Sequence, residues 1–351
     1  MMPKPDSSAP DGGSTAARFD VQPLPGAPFG GLIRPNAADD TGAFIAAAEA
    51  EPAALPDALY ASEGLILVPG MREIAEQPSL LVRLSRLFGP EVENYTETLT
   101  DPNKVHPDVP EILVVSNLPP ANRPPPPRPD PPFNEDGSLP TRFPHRRGWH
   151  TDQSYRRPPP DISLFYAATA APKGQGQTLY ANGIAAYSAL PAAMKKRLDG
   201  VYGIHAMPGA GRSEKAVRAG DTPKPLQPHE QPRPQPIVRT HPVTGEKSLY
   251  LCEAGQMDWI EGPIMGMQPG PDGDGAALVY ELMSHLTQPQ FVYAHEWAQD
   301  DLIIYDNRTL VHAATWFDAE KHPRRMWRTT VSGNPGAEYA GEAKSWIPAG
   351  A

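Results

Sequence analysis

A single cysteine, Cys252, in 351 residues leaves no partner for an intrachain disulfide. Such a chain suits a reducing compartment. No apolar run approaches the ~18 residues that a transmembrane helix needs, and the opening stretch MMPKPDSSAPDGGSTAAR lacks the apolar core of a signal peptide. The cytoplasm is the expected location, with no membrane partner. Basic residues are scarce: 31 Lys and Arg against 41 Asp and Glu give a net charge of -10. Nucleic acid, which binds by exchanging counterions for protein cations, is therefore not an expected partner. No Gly-rich loop opens a helix after a strand, which disfavours a nucleotide-binding α/β fold, and no internal repeat is present.

Proline is abundant, with 46 residues unevenly spread. Residues 1–18 read as a disordered N-terminus. Residues 19–351 suffice for a single catalytic domain with a sizeable core. Two proline-rich insertions, near 117–147 and 208–236, are expected to hold neither regular helix nor central strand. Long structureless loops in compact domains are commonly functional. The first runs directly into GWHTDQSY, at 148–155, and is read as a lid, with an idle polyproline spacer as the alternative.

Between the insertions the chain is mixed. DTGAFIAAAEA, EQPSLLVRLSRLFG, GIAAYSALPAAMKKRLDG and GAALVYELMSHLTQ space apolar residues three and four apart, as helices do. EGLILVPG, EILVVSNL, DISLFYAATA, QTLYANG, KSLYLCE, FVYAHEW, DLIIYDN and RMWRTTVSG are short β-rich runs bounded by turn formers. Many short strands with helical additions point to a mainly β fold, a sandwich or jelly roll.

In an extended strand residues i and i+2 share a face, so His150 and Asp152 would project together. An imidazole and a carboxylate, completed by a second imidazole, form the facial set that holds non-haem Fe(II) with open positions. His-x-Asp alone is a weak signal, common in surface strands and Asx turns. The third ligand must come from elsewhere. His312 stands out because it follows an apolar strand and the polar turn Asp306-Asn307-Arg308; His205 and His241 compete, each with a structural role as the alternative, and His145 beside two arginines reads as exposed.

In HPRRMWRTTVSG, strand alternation puts Arg324, Met326 and Arg328 on one face and Arg325, Trp327 and Thr329 on the other. Two arginines on one face call for anions, and the planar guanidinium suits bidentate capture of a carboxylate. An open metal site beside such a strand points to an oxygenase that uses 2-oxoglutarate.

The ordered blocks WHTDQSY, APKGQGQTLYANGIAAYSALP, VRTHPVTGEKSLY, WAQDDLIIYDNRTLVHAA and RRMWR resemble the taurine and dichlorophenoxyacetate dioxygenase family of Fe(II)- and 2-oxoglutarate-dependent enzymes. The resemblance implies a double-stranded β-helix, a distorted, cupin-like jelly roll with flanking helices. It also implies Fe(II) on His150, Asp152 and His312, with 2-oxoglutarate and O2 as cosubstrates. Thr178 and Arg324 fall on the residues that hold the 2-oxoglutarate carboxylates, and Arg328 falls on a substrate-pocket arginine. Tyr95 is taken as a second substrate contact.

Asp152 occupies the position where halogenating relatives lack a carboxylate, which favours hydroxylation. The implied substrate is a small anion: a sulfonate, sulfate ester, aryloxyalkanoate or other carboxylate, released from its leaving group where the hydroxylated carbon bears one. The chain departs from taurine enzymes at Cys252–Gln256 and Pro90–Tyr95, so taurine itself is not the expected substrate. Amino-acid or natural-product hydroxylation or desaturation on the same scaffold is the alternative. A non-catalytic, cupin-like metal-binding protein is a more remote one, because it leaves the spaced arginines unexplained. A homo-oligomer is left open.

Overall fold

The computed structural model describes residues 19–35, 40–98, 100–253 and 255–346; residues 1–18, expected to be disordered, lie outside the described residues. The chain is mostly sheet with a few helices. An eight-stranded sheet runs in the order Val21–Pro23, Gly31–Ile33, Leu65–Val68, Leu302–Asp306, Ile162–Thr169, Arg325–Ser332, Glu91–Val92, with Leu113–Ser116 also paired to Arg325–Ser332. Gly31–Ile33 and Leu65–Val68 pair in parallel, and the other pairs are antiparallel. Val292–His295, Thr178–Asn182 and Leu310–Ala314 form a second, antiparallel sheet.

Strand periodicity decides what each face meets. Along Leu302–Asp306, Leu302 and Ile304 pack with Ile66, Val68 and Leu164 beneath the helices Thr41–Ala50, Ala54–Ala61 and Ser79–Ser85. Ile303 and Tyr305 face the other way and join Leu65, Met326, Tyr180 and Leu310, so this cluster lies between the two sheets. The outer face of the small sheet, with Leu179, Ala181, Val311 and Ala313, is covered by Leu278, Leu282 and Met283 of the helix Asp274–Leu286. The candidate ligand His312 alternates with Val311 and Ala313 and therefore points between the sheets.

All eight β-rich runs contain a strand, and all four helix-like runs contain helix. GIAAYSALPAAMKKRLDG divides at Pro191 into Gly183–Ser188 and Ala192–Arg197, because proline begins a helix more readily than it continues one. The insertion at 208–236 is more regular than expected. It contains the helix Glu214–Ala219, capped by the Ser213 hydroxyl at its start and by left-handed Gly220 at its end. It also contains Arg233–Pro236, paired among the described residues only with Tyr202–His205. A two-stranded ribbon tolerates alternate prolines because one edge needs no donors. The insertion at 117–147 carries no helix or strand.

Candidate metal centre and anion pocket

His150 and His312 exchange both backbone hydrogen bonds across an isolated bridge, N to O at 2.9 and 2.8 Å. Asp152 is not in an extended strand, as expected from the sequence, but opens a turn in which Gln153 takes φ 50°. Asn307 holds that turn in place: its Oδ1 accepts from Asp152 N at 2.7 Å and its Nδ2 donates to Asp152 O at 2.9 Å. Thr151 Oγ1 lies 2.8 Å from the same Oδ1. One ligand atom each from His150, Asp152 and His312 lies within 4.8 Å of the others.

The donor chemistry fits a divalent metal. His150 Nδ1 lies 2.8 Å from Gly148 O, a carbonyl that can only accept, so Nε2 is left unprotonated, 4.0 Å from Asp152 Oδ1. His312 Nε2 stands 3.8 Å from Asp152 Oδ2. Burial lowers the pKa of both imidazoles, that of His312 to about 3, which keeps them in the neutral form a metal binds. Burial pushes Asp152 up, but Arg328, the two histidines and the Tyr305 hydroxyl outweigh it and hold the carboxylate ionised. Tyr305 donates to Asp152 Oδ2 at 2.5 Å, Ser163 donates at 3.3 Å, and Arg328 Nη1 donates to Oδ1.

A cavity of about 360 Å³ opens beside this set, lined by Thr178, Arg324, Arg328 and, from the first insertion, Arg123 and Pro124–Pro126. Arg324 is buried, its Nε has no partner among the described residues, and burial lowers its pKa to about 10. Its backbone is pinned by Asn117, whose Oδ1 accepts from Arg324 N at 2.8 Å. Gly176, with φ +65°, lets the guanidinium pass: a Cβ there would stand 3.2 Å from Arg324 Cδ. Thr178 Oγ1 accepts from Trp297 Nε1 at 2.9 Å, which leaves its own proton free to donate into the cavity.

The sequence profile of the taurine catabolism dioxygenase TauD, TfdA family matches residues 21–330. The chain belongs to that family. It is 30% identical over 203 residues to the alpha-ketoglutarate-dependent 2,4-dichlorophenoxyacetate dioxygenase of Burkholderia sp. (strain RASC), a match spanning 57% of this chain and 62% of that protein. It is 32% identical over 198 residues to the (S)-phenoxypropionate/alpha-ketoglutarate-dioxygenase of Sphingobium herbicidovorans, spanning 55% and 64%. The matches thus cover less than two thirds of either relative. The crystal structure of AAD-2 in complex with Mn(II) and N-oxalylglycine superposes with a TM-score of 0.63 at 24% identity, over 90% of this chain and 98% of that one.

Within this TauD, TfdA family chain, the other histidines have separate structural partners. His205 Nδ1 lies 2.8 Å from Ser154 Oγ, His241 Nε2 lies 2.9 Å from Asp306 Oδ2, and His145 is exposed. Tyr95 does not line the cavity. It is buried behind Arg328, with its hydroxyl 2.7 Å from Thr330 Oγ1. Sequence reasoning missed Tyr305, Asn307, Asn117 and Arg123 as site residues. Tyr305 carried one usable signal: it is the polar-tipped member of an aliphatic run, and a buried tyrosine hydroxyl needs a partner.

Proposed function

We propose that this protein is an Fe(II)- and 2-oxoglutarate-dependent dioxygenase that hydroxylates a small anionic substrate, in one catalytic domain of double-stranded β-helix, jelly-roll type. A reducing cytoplasm suits its lone buried thiol. One observation carries the reading. A two-histidine, one-carboxylate set shares its cavity with a buried arginine whose Nε lacks any partner among the described residues. A buried unpaired cation is costly, and the distal carboxylate of 2-oxoglutarate would satisfy it.

Iron, with 2-oxoglutarate and O2, would supply the oxidising power: one oxygen atom enters the substrate C–H bond, and the other enters 2-oxoglutarate as it becomes succinate and carbon dioxide. The protein supplies placement. His150, Asp152 and His312 would hold the metal, with Arg328 and Tyr305 keeping Asp152 deprotonated. Arg324 and Thr178 would orient the cosubstrate, the spare donors of Arg328 would meet the substrate anion, and Pro124–Pro126 would keep bulk water from the cavity. The relatives named for dichlorophenoxyacetate and phenoxypropionate act on aryloxyalkanoates, which favours a carboxylate over a sulfonate as the anion.

The test is succinate release with Fe(II) and 2-oxoglutarate across a panel of aryloxyalkanoates, sulfonates, sulfate esters and amino acids. His312→Ala should abolish turnover and keep the circular dichroism spectrum, and His205→Ala should remain active. The reverse pattern would overturn the ligand assignment.

A further inference from the structure

The cavity is lined by three guanidiniums, and Asp152 is the carboxylate beside them. Arg328 donates to the metal-ligand carboxylate of Asp152, and Arg324 awaits a cosubstrate carboxylate. Arg123 remains, exposed at the mouth, with no side-chain hydrogen bond or ion pair among the described residues. Its backbone is nevertheless well placed. Arg123 N donates to Ser116 O at 2.8 Å and Asn122 N donates to Leu118 O at 3.0 Å, folding the start of the insertion back onto the end of the strand Leu113–Ser116. Pro124, Pro125 and Pro126 follow along the cavity wall. Their fixed φ angles, and the restriction proline places on the residue before it, limit where Arg123 can go. Its charge reaches His150, His312 and Arg324.

The charge balance then favours a second anion. Asp152 and one carboxylate of 2-oxoglutarate would balance a divalent ion, and the other carboxylate would balance Arg324, which leaves two positive charges, Arg328 and Arg123. A single sulfonate or carboxylate cancels only one of them. We infer that Arg123 is a specificity-determining residue that reads a second negative charge, so that the primary substrate is a dianion bearing one acidic group for Arg328 and another at the mouth. The inference rests on the proposed function, since it takes metal and 2-oxoglutarate as bound.

Binding to the Zn(II)-loaded protein, where no turnover occurs, tests it. 2-Oxoglutarate is titrated calorimetrically first, then phenoxyacetate or its dianionic analogue 4-carboxyphenoxyacetate. The dianion should bind about tenfold more tightly, a difference of the size one charge pair supplies. Arg123→Gln should erase that preference while weakening 2-oxoglutarate and phenoxyacetate far less than it weakens the dianion. Arg123→Lys should retain most of it, which a steric role would not produce. Failure of 2-oxoglutarate to bind would overturn the cofactor reading and this inference with it. Normal 2-oxoglutarate binding followed by equal affinities, by no binding of either probe, or by an Arg123→Gln loss for 2-oxoglutarate as large as that for the dianion would overturn the inference alone.

Discussion

Arg328 Nη1 donates to Asp152 Oδ1 across 176 residues of sequence, joining the arginine strand to the metal-ligand turn. Arg328 Nε has no partner among the described residues, and the side chain lines the cavity. The same side chain can therefore serve two anions, Asp152 and a substrate group. Arg328→Gln should raise the primary-substrate KM far more than the 2-oxoglutarate KM, since truncating one partner of a desolvated charge pair costs about 2–5 kcal/mol. Paired measurement of substrate loss and succinate release checks this. A variant with wild-type substrate KM and coupling would remove Arg328 from substrate recognition.

Tyr305→Phe removes the 2.5 Å hydrogen bond to Asp152 Oδ2 and keeps the ring between the sheets. Groups that orient a metal ligand typically contribute about 10–100-fold in affinity. Competition with a chromogenic chelator should show weaker metal binding by that order, while the unfolding midpoint of the metal-free protein moves little. Unchanged metal affinity would mean that Asp152 is oriented without Tyr305.

Arg324→Ala should raise the 2-oxoglutarate KM strongly, and Arg325→Ala should not. Arg325 lies on the opposite side of the strand with Trp327, which packs against the helix-side core and stacks edge-on to His106. A larger effect at Arg325 would contradict the placement of the two side chains.

Burial, with Arg239 adding to it, lowers the pKa of His205 from 6.5 to about 3. Between those values the unfolded chain takes up a proton that the folded protein does not, so folding stability falls as the pH is lowered through this window. One group contributes at most about 1.4 kcal/mol per pH unit. His312, also lowered to about 3, acts in the same sense in the metal-free protein. Urea midpoints measured at pH 7, 5 and 4 should fall steadily, and His205→Asn should flatten that slope even though it lowers stability at pH 7.

Replacing Pro124–Pro126 by glycines loosens the wall that carries Arg123 and borders the cavity. Succinate formed per substrate hydroxylated should rise as water gains access. An unchanged ratio would show that the proline segment does not shield the reaction.

Local pattern determined much of what was read from the sequence. Alternation along Leu302–Asp306 and Arg325–Ser332, and three-four spacing along Asp274–Leu286, are properties of a few consecutive residues, because chain geometry alone sets which side chains share a face. The motif blocks around His150, Asp152, His312, Thr178 and Arg324 point to a site through their resemblance to a family, not through chain geometry. Short strands such as Gly31–Ile33 and Glu91–Val92 carry too few residues to show a period and exist through pairing with distant neighbours. The turn at Asp152 has the local pattern of a strand, and its shape depends on Asn307, 155 residues away. The contact of Arg328 with Asp152, the withdrawal of Tyr95 behind Arg328 and the arrival of Arg123 at the mouth depend on how two sheets and one proline-rich segment pack. Burial and charge pairing between remote segments decided them, and no window of the sequence contains both partners.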